Sequence, residues 1–230
     1  MAASGRALIA GASRGLGLAI AEQYLERGWH VTGTVRGAAA GLDALRDRFP
    51  ARLDVELLDI TVPEQIAALF ARLADVRFDL LWVNAGTTHA REETIANMST
   101  EEFVRVMVTN ALAPMRVVES LGELVTAEGT IAVMSSGQGS VADNTGGGWE
   151  VYRASKAALN QLMRSYAARH RDDLRTLLLL APGWIRTDMG GPSAAFSVEE
   201  AIPELVATVE AQRGKGGLQY LDRFGKAVNW

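Results

Sequence analysis

Tyr152 and Lys156 stand four positions apart in the stretch Val151-Tyr-Arg-Ala-Ser-Lys-Ala-Ala-Leu-Asn160. Ala154, Ala157, Ala158, Leu159, Gln161, Leu162 and Met163 all favour helix, and no proline interrupts before Pro182. On a helix, an i,i+4 pair shares one face. A cation held beside a phenol favours the phenolate and lowers its pKa from about 10. A tyrosine tuned in this way is a general acid or base near neutral pH. The same spacing also describes an inert pair on a helix surface. The elements around the pair decide between the two readings.

Those elements alternate strand and helix. The apolar run Arg6–Ala10 leads into Gly11-Ala-Ser-Arg-Gly-Leu-Gly17, and a helical pattern over 18–25 follows until Gly28 stops it. Glycines at 11, 15 and 17 permit a sharp turn and let a pyrophosphate approach the helix N-terminus, where free N–H groups and the macrodipole favour anions. Between a strand and a helix this reads as a dinucleotide-binding turn, here spaced G-x-x-x-G-x-G. A second strand over 29–35 should end beside it. An NAD-binding fold usually offers an acid there for the ribose hydroxyls. This chain offers Val35 and Arg36, with Arg14 in the glycine loop. Two converging guanidinium groups suit a 2′-phosphate, which favours NADP(H) over NAD(H).

A short helix over 41–49 and a third strand over 53–59 come next. Asp59 closes that strand, either to bond an adenine amino group or to serve a turn before Pro63, which opens a helix over 63–74. The fourth strand, 78–84, breaks at Ala85-Gly86, small residues that let a ligand lie across the sheet crest. The loop 87–99 is polar, and His89 within it reads as solvent-exposed. One long helical pattern over 100–125 contains Asn110 and Pro114. Pro114 cannot donate to the carbonyl of Asn110, so a kink with an ordered water is expected there.

The fifth strand, 129–134, ends in Ser135-Ser136, and a Gly/Ser/Asn-rich loop leads to the helix of Tyr152. A sixth strand over 173–180 precedes Pro182-Gly-Trp-Ile-Arg-Thr-Asp-Met189. The small residues over 190–197 read as a flexible lid, a last helix spans 198–213, and 217–221 forms an edge strand. This order implies α/β architecture: one doubly wound parallel sheet of about seven strands, helices on both faces, and residues 1–230 as a single domain with substrate loops 137–149 and 190–197.

Composition closes off other chemistries. Apolar residues make up 48% and charged residues 22%, an ordinary globular balance. A net charge of −4 and the absence of a basic cluster argue against nucleic acid. With no cysteine, thiolate chemistry and disulfides are excluded. His30, His89 and His170 have no metal-ligand spacing, so no metal is expected. No apolar run is long enough to cross a membrane, and the N-terminus enters a strand at once, so a cytoplasmic location is expected.

Jointly, Gly11-Ala-Ser-Arg-Gly-Leu-Gly17, Asp59, Asn84-Ala-Gly86, Asn110, Ser135-Ser136, Tyr152-Arg-Ala-Ser-Lys156 and Pro182-Gly-Trp-Ile-Arg-Thr187 resemble the short-chain dehydrogenase/reductase family, in the family's order. The resemblance implies a Rossmann-type fold with Tyr152 as catalytic acid/base. It makes Lys156 the lysine that lowers the tyrosine's pKa and bonds the nicotinamide ribose. Ser136 becomes the serine that bonds the substrate carbonyl, and Asn110 the kink asparagine that holds a relay water. Implied cofactor contacts are Gly11, Ser13, Arg14, Gly15, Leu16, Gly17, Arg36, Asp59, Ile60, Asn84, Ala85, Gly86, Tyr152, Lys156, Pro182, Gly183, Ile185 and Thr187. The family commonly pairs its two long helices between subunits, which implies a homodimer or homotetramer.

Two departures stand out. Val83 replaces the first of two asparagines usual before Ala-Gly, and Ser136 and Tyr152 are 16 residues apart, several more than is common. The longer loop, with Asp143-Asn-Thr-Gly-Gly-Gly-Trp149, is similar to a carbonyl reductase branch related to the bacterial C-factor protein. The reaction expected is NADP(H)-dependent hydride transfer between the nicotinamide and a ketone, aldehyde or secondary alcohol. The alternative is a cofactor-binding signalling or regulatory protein with little turnover, against which the intact Tyr, Lys, Ser and Asn set argues. Epimerases and dehydratases of the extended branch usually carry a larger C-terminal domain. Trp149, Trp184 and Met189 would either line an apolar substrate pocket or belong to the core.

Overall fold

In the computed structural model, which describes residues 5–89 and 92–230, the apolar runs form seven parallel strands. They are β1 (Arg6–Ala10), β2 (His30–Val35), β3 (Leu53–Leu57), β4 (Phe78–Val83), β5 (Val125–Met134), β6 (Thr176–Ala181) and β7 (Gly217–Asp222). Their order across the sheet is β3-β2-β1-β4-β5-β6-β7. Every neighbouring pair is parallel, so each crossover needs its own connection over a sheet face. The helices are α1 (Gly15–Glu26), α2 (Ala40–Arg48), α3 (Pro63–Arg72), α4 (Thr100–Met107), α5 (Ala113–Leu121), α6 (Glu150–Arg169) and α7 (Val198–Gln212).

Strand side chains alternate between the two faces, and each face has its own core. Leu8, Ala10, Leu81, Val83, Ile131 and Leu179 pack with residues of α3, α5 and α6. Ala7, Ile9, Leu80, Trp82, Leu178 and Leu180 pack with those of α1, α2 and α7. Burial on both faces is why the central strands are apolar throughout rather than alternating. Val83, where the family carries asparagine, lies fully within the first of these cores.

The order of strands reverses at β1 and β4, so the crevice for a ligand opens at their C-terminal ends. Residues 11–14, 36, 59, 84–86, 135–136 and 182–187 follow successive strands and share that edge.

Three elements differ from the sequence expectation. The pattern over 100–125 is not one helix. It is α4, a π-helical turn over Val108–Leu112, α5 and a 3₁₀ turn over Gly122–Leu124, after which β5 begins at Val125. The π-turn is closed by the Ala113 N–H on the Val108 carbonyl, immediately before the residue that lacks a donor, Pro114. The sixth strand starts at Thr176 rather than residue 173, because Asp173 accepts the Arg175 backbone N–H at 2.9 Å and its guanidinium, forming a tight turn. The third strand stops at Leu57, which leaves Asp59 in the loop.

Gly17 illustrates how closely β1, β4 and α1 meet. A Cβ there would lie 2.0 Å from the Gly11 carbonyl oxygen and 2.7 Å from Asn84 Nδ2. Gly17→Ala should therefore lower unfolding free energy by about 2 kcal/mol or more, because a backbone atom must move. Urea unfolding followed by circular dichroism checks this, and an unshifted midpoint would show that the loop relaxes at no cost.

Candidate active site

The helix α6 begins under strain. Gly147, Gly148 and Trp149 all have positive φ, and Trp149, at 52°, is the one such non-glycine residue among those described. Arg153 Nε donates to the Gly148 carbonyl at 2.9 Å, and Glu150 accepts the Ile95 N–H at 2.8 Å. The Trp149 indole packs edge-on to the His89 ring, with centroids 5.6 Å apart. His89 is thus 5% exposed, not a solvent-facing loop residue, and its Nδ1 lies 3.8 Å from a Glu93 carboxylate oxygen. Indole cover overrides the polarity of the surrounding loop. Trp184 and Met189 are about half exposed and outside the core.

Tyr152 and Lys156 lie on the inward face of α6. Lys156 is 4% exposed, and its ammonium donates to the Met134 carbonyl at 2.9 Å, at the end of β5. Burial alone lowers the Lys156 pKa to about 8. Its Nζ sits 5.9 Å from the centroid of the Tyr152 ring. The Tyr152 pKa is raised, chiefly by burial, and a hydrogen bond with the Ser136 side chain acts in the opposite direction. Burial is the largest influence on the Tyr152 pKa in this arrangement. The Lys156 ammonium, with a pKa of about 8, is still mostly charged at neutral pH, but it is aimed at a carbonyl.

The two serines after β5 face different ways. Ser135 is buried and donates to Asn160 Oδ1 at 2.6 Å. Ser136 is half-buried on the Tyr152 side, and its Oγ accepts the Gln138 N–H at 3.2 Å. Asn110, in the π-turn, is fully buried. Its Oδ1 accepts the Thr87 N–H at 2.8 Å, and its Nδ2 donates to the Thr87 carbonyl at 2.9 Å and to Ser155 Oγ at 3.0 Å. Ser155 in turn donates to the Tyr152 carbonyl at 2.7 Å. The Asn110 side chain is thus committed to holding β4's loop against α6. A Cβ on Gly86 would stand 3.4 Å from Asn110 Oδ1 and 3.7 Å from Lys156 Nζ, so these three residues meet at one place.

The cofactor side fits an anionic dinucleotide. A crevice is lined by Gly11, Ser13, Thr34, Val35, Arg36, Leu58, Ile60 and Ala85. The α1 N-terminus has no side-chain cap and no acid in its first turn, which leaves its N–H groups for a phosphate. Gly11 and Gly15 have φ of 90° and 55°, and Cβ atoms at 11 and 17 would clash with Ala85 and the Gly11 carbonyl. Asn84 Nδ2 donates to the Gly11 carbonyl at 3.1 Å, so it braces the loop. Leu16 packs half-buried against the core behind that loop.

Asp59 accepts the Thr61 N–H at 2.9 Å and the Thr61 hydroxyl at 2.6 Å, the turn role considered for it. Burial works against its ionised form, but those bonds and the Arg36 charge hold its carboxyl below the usual range. Arg36 rims the crevice, whereas Arg14 reaches to Asp188 at 2.8 Å, with both side chains largely exposed. A carboxylate across the mouth, invisible from local sequence, takes the second guanidinium.

Beyond β6, Gly183 has φ of 94°, and a Cβ there would be 2.6 Å from a guanidinium nitrogen of Arg223, which also donates to the Pro182 carbonyl at 3.3 Å. Ile185 is buried and bridges Phe196. Thr187 stands 3.7 Å from where a Gly15 Cβ would be, facing the glycine loop. The segment 190–197 is not an unstructured flap. Arg186 N donates to the Phe196 carbonyl at 2.8 Å, Gly191 N to the Thr187 carbonyl at 2.9 Å, and Trp184 Nε1 to the Gly190 carbonyl at 2.8 Å. Small residues here serve tight turns inside a closed loop.

Arg223, Asn160 and Tyr220 support the site, yet none was legible as a candidate. Asn160 was the only one with a local signal, because it ends the Tyr-Lys stretch. Among the described residues, no cluster could hold a metal ion, and no helix is long and apolar enough to cross a membrane.

Comparison with known proteins agrees with this geometry. A family model described as enoyl-(acyl carrier protein) reductase matches residues 11–213. A short-chain dehydrogenase/reductase from Burkholderia multivorans with bound NADP is 54% identical, covers 99% of this chain and 100% of its own, and superposes with a TM-score of 0.97. A carbonyl reductase from Pseudomonas aeruginosa in complex with NADP is 37% identical, with 99% and 100% coverage and a TM-score of 0.91. The C-signal protein of Myxococcus xanthus is 32% identical over 66% of this chain and 92% of its own. The chain belongs to the short-chain dehydrogenase/reductase family of NAD(P)-dependent oxidoreductases, and within it resembles the carbonyl reductases.

Proposed function

We propose that this protein reduces a ketone or aldehyde with NADPH and runs the reverse oxidation of a secondary alcohol. The observation that carries the reading is the meeting of the Tyr152 phenol and the Ser136 hydroxyl at the end of β5, with the Lys156 ammonium behind them. The nicotinamide, when bound, supplies the hydride to the carbonyl carbon. Ser136 donates a hydrogen bond to the substrate oxygen as charge develops on it. Tyr152 then gives that oxygen its proton. A buried phenol with a raised pKa is still protonated at neutral pH, the state that reduction needs. Lys156, held by the Met134 carbonyl, supplies positive charge on the far side of the phenol and restrains the site from beneath. Asn110 keeps the Thr87 backbone and Ser155 in register, and its main-chain carbonyl, denied a donor by Pro114, is the group to hold a relay water.

The reading of NADP(H) over NAD(H) rests on Arg36 at the crevice rim and on the missing acid after β2. The Arg14–Asp188 pair is exposed and contributes little, so a 2′-phosphate competes for that guanidinium on favourable terms. Two relatives with bound NADP support the same choice. Residues 1–230 act as one unit in an aqueous, cytoplasmic setting. Exposed Val104, Leu112 and Leu162 on α4–α6, beside an apolar groove with Pro63, Ile66 and Met115, support pairing of these helices into a homodimer or homotetramer.

With an NADPH-consumption assay over ketones, aldehydes and quinones, Tyr152→Phe should lose roughly 10²-fold or more of turnover while NADPH affinity, read by fluorescence, stays near wild type. Near-normal turnover would remove Tyr152 from the mechanism. Because reduction needs the phenol and oxidation the phenolate, oxidation should rise with pH while reduction holds through neutrality and then falls. Arg36→Asp should move the NADPH/NADH ratio of kcat/KM toward NADH by at least roughly tenfold, the worth of one charge-assisted phosphate contact. An unmoved ratio would assign cofactor choice elsewhere.

A further inference from the structure

We infer that Tyr220, on the edge strand β7, is a positioning residue for the Ser136 hydroxyl, and that the segment 226–230 holds Tyr220 in place. This rests on reading Ser136 as the donor to the substrate carbonyl. Tyr220 is 3% exposed, and its hydroxyl donates to the carbonyl oxygen of Ser136 itself. The side chains of Asn160 and Ser135 stand beside the same phenol and oppose the upward push of burial on its pKa. Asn160 accepts from Ser135 Oγ at 2.6 Å and donates to the Gly139 carbonyl at 3.3 Å. One buried polar knot thus grips the loop before, at and after Ser136.

The grip at Ser136 has a direct consequence for its side chain. The residue is extended, with φ −163° and ψ 148°, and its Oγ accepts from the Gln138 N–H. The same Ser136 carbonyl accepts the Gly139 N–H at 2.8 Å, so fixing it fixes the turn over 136–139 that carries the Gln138 N–H. The Oγ position is set by that N–H and by the hydrogen bond with the Tyr152 phenol. Tyr220 therefore acts on the hydroxyl through two backbone links.

The chain then returns along β7. Asp222 N donates to the Lys226 carbonyl at 2.8 Å, Val228 N to the Tyr220 carbonyl at 2.9 Å, and Leu221 bridges Ala227 antiparallel. This carries Trp230 to the outer side of Tyr220, with ring centroids 5.4 Å apart, under the Arg164 guanidinium at 4.2 Å. The Trp230 carbonyl accepts from Ala142 N at 3.1 Å, and Asn229 Nδ2 donates to Asp143 at 2.8 Å. The segment that backs Tyr220 therefore also holds the loop leading to Trp149. A phenol serving only to fill an edge strand would need neither the bond to Ser136 nor this backing.

Tyr220→Phe removes one oxygen and keeps the ring against Trp230. In hydrogen exchange of the intact protein, the amides of 137–143 should exchange roughly tenfold faster, with β1, β4 and β5 unchanged, as expected for loss of one hydrogen bond. NADPH affinity should stay within about twofold. Carbonyl reduction should lose roughly tenfold in kcat. Its falling limb should move to higher pH, because a displaced Ser136 no longer opposes the effect of burial on Tyr152. Unchanged exchange over 137–143 would overturn the inference whatever the activity. Faster exchange with unaltered kcat and pH profile would overturn it too, leaving a brace without influence on the hydroxyl. If the wild type binds NADPH but reduces no carbonyl, the reductase reading fails, and exchange alone still decides whether Tyr220 holds the loop. Should Tyr220→Phe not fold, Trp230→Leu loosens Tyr220 from outside and is expected to give the same pattern at smaller size.

Discussion

A buried ammonium sets the terms for everything around it. Lys156 has lost nearly all contact with water, and its pKa has dropped to about 8 as a result. Such a group is tolerated only where a good acceptor faces it. The Met134 carbonyl at the tip of β5 is that acceptor. Bringing α6 close enough requires a small neighbour: a Cβ on Gly139 would stand 3.0 Å from the Lys156 Cβ and 2.9 Å from Asn160 Nδ2. The serine pair falls on the far side of the same carbonyl, which puts Ser136 within reach of Tyr152.

The π-turn is the second constraint, and it depends on the first. A regular helix through 108–112 would carry Asn110 along an ordinary α-helical face. One extra residue in the turn, with Pro114 unable to donate just beyond it, holds Asn110 in the wall beside Lys156. Its side chain is then used up on Thr87 and Ser155, which binds the loop after β4 to α6. The site is therefore a place where the ends of β4 and β5, the π-turn and α6 all contribute polar groups. None of them could move far without unpairing another in a dry interior.

Much of this was legible in sequence because its signals are local. The glycine loop, the alternation of strands and helices, the Tyr-Lys register and the proline four residues past Asn110 each depend on spacing within an element and its turn. What escaped depends on contacts across the fold. His89 read as exposed because its own loop is polar, yet Trp149, 60 residues on, covers it. Arg14 was paired with Arg36 by proximity to one edge, yet Asp188 from the loop after β6 claims it. Spacing likewise says that Lys156 and Tyr152 are near, but only the fold says that burial pushes the phenol's pKa up.

The two halves of the cleft are built on different physics. The dinucleotide half is made of glycines at positions where a Cβ would strike backbone, so its shape is fixed by sterics and tolerates little change. The half facing Tyr152 is made of a loop with positive-φ residues, an indole on an imidazole, and hydrogen bonds from residues 220–230. Strain at Trp149 is held there by cover and by the Arg153 and Glu150 contacts rather than by lack of space. Nothing lies within 4 Å of where Cβ atoms would be on Gly137, Gly146, Gly147 or Gly148. Side chains at 137 and 146 would therefore meet open space, while Ser136 at the loop's root stays gripped from behind. A fold arranged in this way can alter what it accepts while keeping the position of its acid and its donor.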